Sequence, residues 1–280
     1  MFSGAVGFFY PAYSAALPRV LPPEQLLAAN GVEGTARPLL QLAAGPAVGG
    51  VLTGLALPGA PVLAIAVAHG IALFFMLRLR LPERDVAPVD DGAPARSSAL
   101  RDLVEGFRYC LRTPWLLWTL LWAMSAVFLF TGPLEVLVPF LVVDRLGGTV
   151  AGYGAMLGLY GVSTAVGASI MASFQLPRKY LTTMIWLWGF GTLPFGLVGS
   201  THSWWVMALA LCVFGATGGA GQVIWGTLLQ RRVPGHMLGR ISSLDFFVSL
   251  SLMPVSMALA GPVSQVLPPE AVFWGVAVLT

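Results

Sequence analysis

Two carboxylates stand inside otherwise uncharged apolar runs. Glu135 follows Pro133 in the run that begins at Trp115, and Asp245 sits in the run that begins at Ile241. A charged side chain near the bilayer centre costs about 2.5–3.5 kcal/mol on insertion scales, so it normally faces a cavity or a partner. A carboxylate that binds a proton when occluded and releases it when wetted can couple proton entry to the exit of another solute. Each has a plainer alternative. Glu135 lies toward one end of its run, which leaves the membrane soon after, at Asp144, so it could be a solvated interfacial group. Asp245 lies near the opposite face, where pairing with Arg240 or other cytoplasmic basic groups would satisfy it. His69, in the middle of its run, is read as a neutral packing or hydrogen-bonding residue, with a proton relay as the alternative. Gln41 and Gln222 are candidates to line a polar cavity. Trp186, Trp188, Trp225 and Met184 could meet a lipophilic ligand or simply pack.

Other chemistries find no constellation. His69, His202 and His236 are isolated from one another and from suitable carboxylates, so neither metal-ligand spacing nor a nucleophile with its base is present. No phosphate-binding loop ending in Gly-Lys-Ser/Thr occurs. Cys110 and Cys212 make no disulfide framework. The expectation is a chain that is not an enzyme and needs no metal or cofactor.

The elements that must position these groups are long and apolar. Hydrophobic residues make up 57% of the 280 positions and charged residues only 10%, against about 25% charged in a soluble domain. A helix needs roughly 20 apolar residues to cross the hydrocarbon core. The runs are Phe2–Leu17, Leu39–Leu57, Val62–Leu77, Trp115–Val143, Val150–Phe174, Leu181–Val198, Trp204–Leu229, Ile241–Val266 and Ala271–Thr280. Links as short as Pro58–Pro61 and Gly199–Ser203 demand antiparallel neighbours. Backbone polar groups must be satisfied within the bilayer, and the runs do not alternate as barrel strands would, so they are helices. The predicted fold is all-α, a polytopic transmembrane helical bundle.

Charge placement tests this map. With these spans, every one of the 15 Lys and Arg except Arg145 falls on one side. That side is expected to be cytoplasmic, in a cell (plasma) membrane. The net charge of +3 is therefore topogenic, facing anionic headgroups, and implies no nucleic-acid partner. Residues 1–17 lack a preceding basic region and do not read as a signal peptide.

Between the third and fourth runs lies the longest polar stretch. Residues 82–98 are rich in Pro, Asp, Ala and Ser and read as a linker. Leu100, Leu103, Val104, Phe107 and Leu111 then recur at helical spacing among Arg101, Asp102, Glu105, Arg108 and Arg112. This is an amphipathic helix suited to the cytoplasmic membrane surface, entering the next span through Pro114 and the Trp115/Trp118 pair.

Several stretches carry a family resemblance. They are Phe8-Phe9-Tyr10-Pro11-Ala12, Leu26-Leu27-Ala28-Ala29-Asn30, Glu105-Gly106-Phe107-Arg108-Tyr109 with Arg112-Thr113-Pro114-Trp115-Leu116, and Val233-Pro234-Gly235-His236-Met237-Leu238-Gly239-Arg240-Ile241-Ser242-Ser243. Together they resemble a major facilitator superfamily transporter of the enterobactin-exporter-like branch, the transmembrane secretion effectors. The likeness runs from about the family's fourth helix into its twelfth. It implies residues 1–77 as the remaining three helices of an N-terminal half-bundle. Residues 78–114 would be the central cytoplasmic loop, and 115–280 a six-helix C-terminal half whose last helix is truncated. An incomplete chain is expected to be unable to transport alone.

Gly45-Pro46-Ala47-Val48-Gly49-Gly50 resembles the end of the family's drug/proton antiporter motif, although Gln41 stands where that pattern has Gly. Gly45 and Gly49 would permit close helix approach and Pro46 a bend, as would ordinary packing. Gly154, Gly158, Gly161 and Gly167, with Gly215, Gly218, Gly219 and Gly221, form two further small-residue stripes read as packing. The resemblance implies efflux of a small molecule, a drug, siderophore or other lipophilic compound, by alternating access with protons as coupling ion. Solute uptake and a transport-inactive scaffold are the alternatives. A monomer in the lipid bilayer is expected of the full-length protein.

Overall fold

A computed structural model describes residues 12–45, 48, 52, 59–78, 99–176 and 178–280. Helix α1 covers 12–20. Helix α2 is Leu26–Pro38, carried on by a π-helical turn at Leu39–Ala44. Helix α3 is Ala60–Arg78 and α4 is Ala99–Arg112. The long α5, Pro114–Arg145, is followed by α6, Val150–Ser173, then α7, Tyr180–Thr192, and the short α8, Phe195–Ser200. Helices α9, Trp204–Arg232, α10, Gly235–Val266, and α11, Pro269–Leu279, complete the chain. Among the described residues there is no strand, and six helical stretches are long and apolar enough to cross a membrane. The protein is an all-α transmembrane bundle.

Lipid tails are as apolar as leucine, so packing rather than hydrophobicity brings such helices together. Helices α6 and α9 cross most intimately, and α2 lies across both. Gly161 meets Leu42, Gly167 meets Ala216, Gly215 and Gly219 meet the backbone of α6, and Gly221 meets Trp188. Gly154, Gly158 and Gly218 face open space instead. Beyond these stripes, Gly31 of α2 seats directly on Ala172, and a Cβ there would overlap it. Two buried clusters flank this crossing. One gathers Met184, Ile224, Trp225, Leu228, Leu238 and Ile241. The other centres on Phe195, whose ring lies 4.9 Å from both Phe214 and Phe273.

Helix α2 begins at Leu26, well before the apolar run predicted to start at Leu39. Its polar side chains are satisfied inside the bundle, Glu33 by Arg37 one turn on and Asn30 by Gln230 of α9, so hydropathy alone misplaces the boundary. Helix α10 likewise starts at Gly235 rather than Ile241. The run predicted as Leu181–Val198 is split before Pro194, which cannot donate to a continuing ladder. Residues 2–11, Pro46, Gly49, Gly50, the linker 82–98 and Pro177 lie outside the described residues.

Helix α5 is distorted where it carries Glu135. The Ser256 hydroxyl of α10 accepts from Gly132 N–H at 2.8 Å and donates to Phe128 C=O. Those are the two groups that would bond each other in a regular helix. Insertion into this ladder, followed by Pro133, accounts for the π-helical turn at Pro133–Leu137. A Cβ on Gly132 would overlap the Ser256 carbonyl, so the approach requires glycine.

Candidate functional site

A polar cleft opens between α1 and α2 on one side and α6, α9 and α10 on the other. Asn30, Glu33 and Arg37 come from α2, and Tyr13 and Ser14 from α1. Opposite them stand Gln222, Trp225 and Gln230 of α9 with Ser242, Asp245 and Phe246 of α10. Thr164 of α6 adds a hydroxyl. The space is about 120 Å³, well below the roughly 300–1,000 Å³ of a drug-sized ligand pocket.

Asp245 lies about three turns inside α10. Trp225, itself buried, donates its indole N–H to Asp245 Oδ2 at 3.0 Å. Arg240 is engaged elsewhere, donating to Glu105 Oε2 of α4 at 2.8 Å. The alternative of an Asp245–Arg240 pair is thus not the arrangement in the structure.

A buried amide cluster closes the basic end. Asn30 Nδ2 donates to Gln230 Oε1 at 2.7 Å, to Leu26 C=O at 2.7 Å and to Thr227 Oγ1 at 3.2 Å. Gln230 Nε2 donates back to Asn30 Oδ1 at 3.4 Å. Gly226 makes room for Asn30, since a Cβ there would fall 2.7 Å from its Oδ1. Nearby, Thr35 and Ser169 hydroxyls share a 2.7 Å bond, and Arg231 donates to Pro23 C=O at 2.9 Å. Side chains far apart in sequence thus pin α2 to α6 and α9.

Of the residues singled out from sequence, Asp245, Gln222 and Trp225 line this cleft together. Glu135 does not: it is exposed on the π-helical turn of α5, within electrostatic reach of Tyr153 and Tyr160 on α6. His69 is exposed on α3, bonded through a ring nitrogen to Ile65 C=O at 2.8 Å, and no residue of α3 is buried. Gln41 is exposed on the turn after α2. Gly45 faces its own Leu40 carbonyl rather than a neighbouring helix. Asn30, Glu33, Gln230 and Ser242 were not singled out. The available signal was the polar and small face Asn30-Gly31, Gly34-Thr35 at helical spacing. Among the described residues no group of His, Cys, Asp and Glu is placed to hold a metal.

A family model described as Major Facilitator Superfamily matches residues 1–247. The chain belongs to the Major Facilitator Superfamily. It is 30% identical over 257 residues to an uncharacterized MFS-type transporter, y4rN, of Sinorhizobium fredii, covering 88% of this chain and 59% of that protein. It is 26% identical to the enterobactin exporter EntS of Escherichia coli, covering 95% of this chain and 62% of the exporter. To the multidrug efflux pump Tap of Mycolicibacterium fortuitum it is 26% identical, covering 62% and 43%. The chain thus spans about three fifths or less of these relatives. No solved structure matches it. As a major facilitator member it is a multi-pass membrane protein of a transporter family. Helices α2, α6, α9 and α10 bring its polar cleft residues together.

Proposed function

We propose that the protein is a proton-coupled exporter of a small lipophilic molecule, working by alternating access. The observation that carries this reading is a half-buried carboxylate, Asp245, held by Trp225 in a cleft between two helix groups that polar side chains close at the basic end. Transporters of this architecture place their site between two related halves and rock one against the other. The halves proposed are 1–77 and 115–280, with 78–114 between them on the cytoplasmic side of the plasma membrane, in a monomer. The Asn30–Gln230 contact then belongs to a conformation closed toward the cytoplasm. Relatives named for multidrug efflux and enterobactin export support export and a drug- or siderophore-like substrate.

Asp245 is proposed as the coupling group, facing Glu33 and Arg37 of α2, Tyr13 of α1 and Trp225 of α9. Glu135 is proposed as a second exchanging carboxylate toward the other end, and Gln222 as a substrate contact. The test is the Asp245→Asn variant of the intact protein in proteoliposomes under an imposed pH gradient. Gradient-driven flux should vanish while substrate exchange at equal pH persists. Undiminished gradient-driven flux would overturn the assignment.

A further inference from the structure

We propose that the outward face of α4 is a docking surface for the acidic lipid headgroups of the adjoining leaflet. An amphipathic helix ordinarily turns its apolar stripe toward the protein core. Here the reverse holds. Among the described side chains, Glu105, Gly106 and Cys110 face inward toward α10, and Tyr109 packs against the core beside them. Cys110 is buried, Gly106 lies against Arg240 with room for only 3.4 Å to its Cβ, and Glu105 bonds the Arg240 guanidinium. Val104, Phe107 and Leu111, at the helical spacing of one face, are left 49%, 54% and 52% exposed. Arg108 and Arg112, on the flank of that same face, are exposed as well.

Two observations name the occupant. The first is continuity with the lipid-facing surface. Only Thr113 separates α4 from α5, which crosses the membrane, and Trp118, 69% exposed, stands just inside that helix. Arg232 lies over the Trp115 and Tyr180 rings at 5.6 and 5.0 Å, at the same end of the bundle. Tryptophan, tyrosine and arginine gather at headgroup depth. The second is charge. Apolar side chains rimmed by arginines match an acyl boundary topped by phosphate. A membrane surface therefore fits this face better than water does.

The experiment places a bimane probe at Phe107→Cys, and separately at Leu111→Cys, in the intact protein with Cys212→Ala. Cys110 can stay, because it is buried and burial pushes its thiol up. Nanodiscs of phosphatidylcholine alone and with phosphatidylglycerol are compared, using brominated lipid and aqueous iodide as quenchers. Brominated lipid should quench both probes, more strongly in the acidic discs. Replacing Arg108 and Arg112 by Gln should lower the equilibrium constant for lipid contact about five-fold for each arginine removed. Quenching by iodide alone would overturn the proposal. So would equal lipid quenching in neutral and acidic discs, or shielding from both quenchers, which would mean a protein partner.

Discussion

Asn30 and Gln230, 200 positions apart in the chain, hold each other's side-chain amides inside the bundle. Both are more than nine-tenths buried, so neither can turn to water when its partner is lost. Asn30→Ala should strand the Gln230 carbonyl and cost about 1–3 kcal/mol, the desolvation cost of an unmade bond. Asn30→Ala and Gln230→Ala together should cost less than the sum of the two alone, because each single change leaves the other amide orphaned. Thermal unfolding of the four proteins in detergent measures this. Strict additivity would mean that the two amides do not act as a pair.

The chemistry of this cleft was only half legible in the sequence. Asp245 stands out because it is a carboxylate in an apolar run, and Gln222 because its run is otherwise free of amides. Asn30 and Glu33 do not, since they precede the run that hydropathy marks, and helix α2 reaches back to include them. Hydropathy records what faces lipid. The polar end of a helix buried against other helices gives no such signal. The bundle itself was legible because long apolar runs that satisfy their own backbone as helices are a physical requirement of crossing a membrane. The pairing of Asp245 with Trp225 was not, because it joins α10 to α9, and the rotation of α9 is set by close glycine contacts with α6.

Trp225 tests that pairing directly. Trp225→Phe keeps an aromatic ring but removes the indole N–H that reaches Asp245. A hydrogen bond to a charged group contributes about 1.5–3 kcal/mol. The variant should melt lower than the parent, and the loss should largely disappear when Asp245 is already Ala, which offers the indole no acceptor. If Trp225→Phe is equally costly with either residue at position 245, the indole stabilises by packing alone.

Arg145 and Glu270 form an asymmetric pair at the opposite end. Arg145 donates to Glu270 Oε1 at 2.6 Å and also to the Gly199 carbonyl, tying the end of α5 to both α8 and α11. The Glu270 side chain is 43% exposed, so solvent screens the ion pair and it should add little to stability. Glu270→Gln should therefore be nearly silent and lose its small effect at high salt. Arg145→Ala should cost more, because Gly199 C=O loses its donor whatever the salt. Equal effects of the two substitutions would mean that the carbonyl contact contributes nothing.

The break in α5 offers a stabilising change. Ser256 satisfies both ladder groups that it separates, but the neighbouring Thr131 Oγ1 is buried without a hydrogen-bond partner among the described residues. A buried hydroxyl with no partner costs about 1–3 kcal/mol, whereas an apolar group of the same shape carries no such penalty. Thr131→Val keeps the branched shape, which fits the helix equally well, and should raise the melting temperature. Ser256→Ala should do the opposite, since it strands Gly132 N–H and Phe128 C=O together. Gly132→Ala should be worse still, because the new methyl overlaps the Ser256 carbonyl and forces α10 away from α5. The predicted order of stability is Thr131→Val, parent, Ser256→Ala, Gly132→Ala. A Thr131→Val protein that melts below the parent would show that the hydroxyl has a partner the bundle depends on, and would reverse this reading of the break.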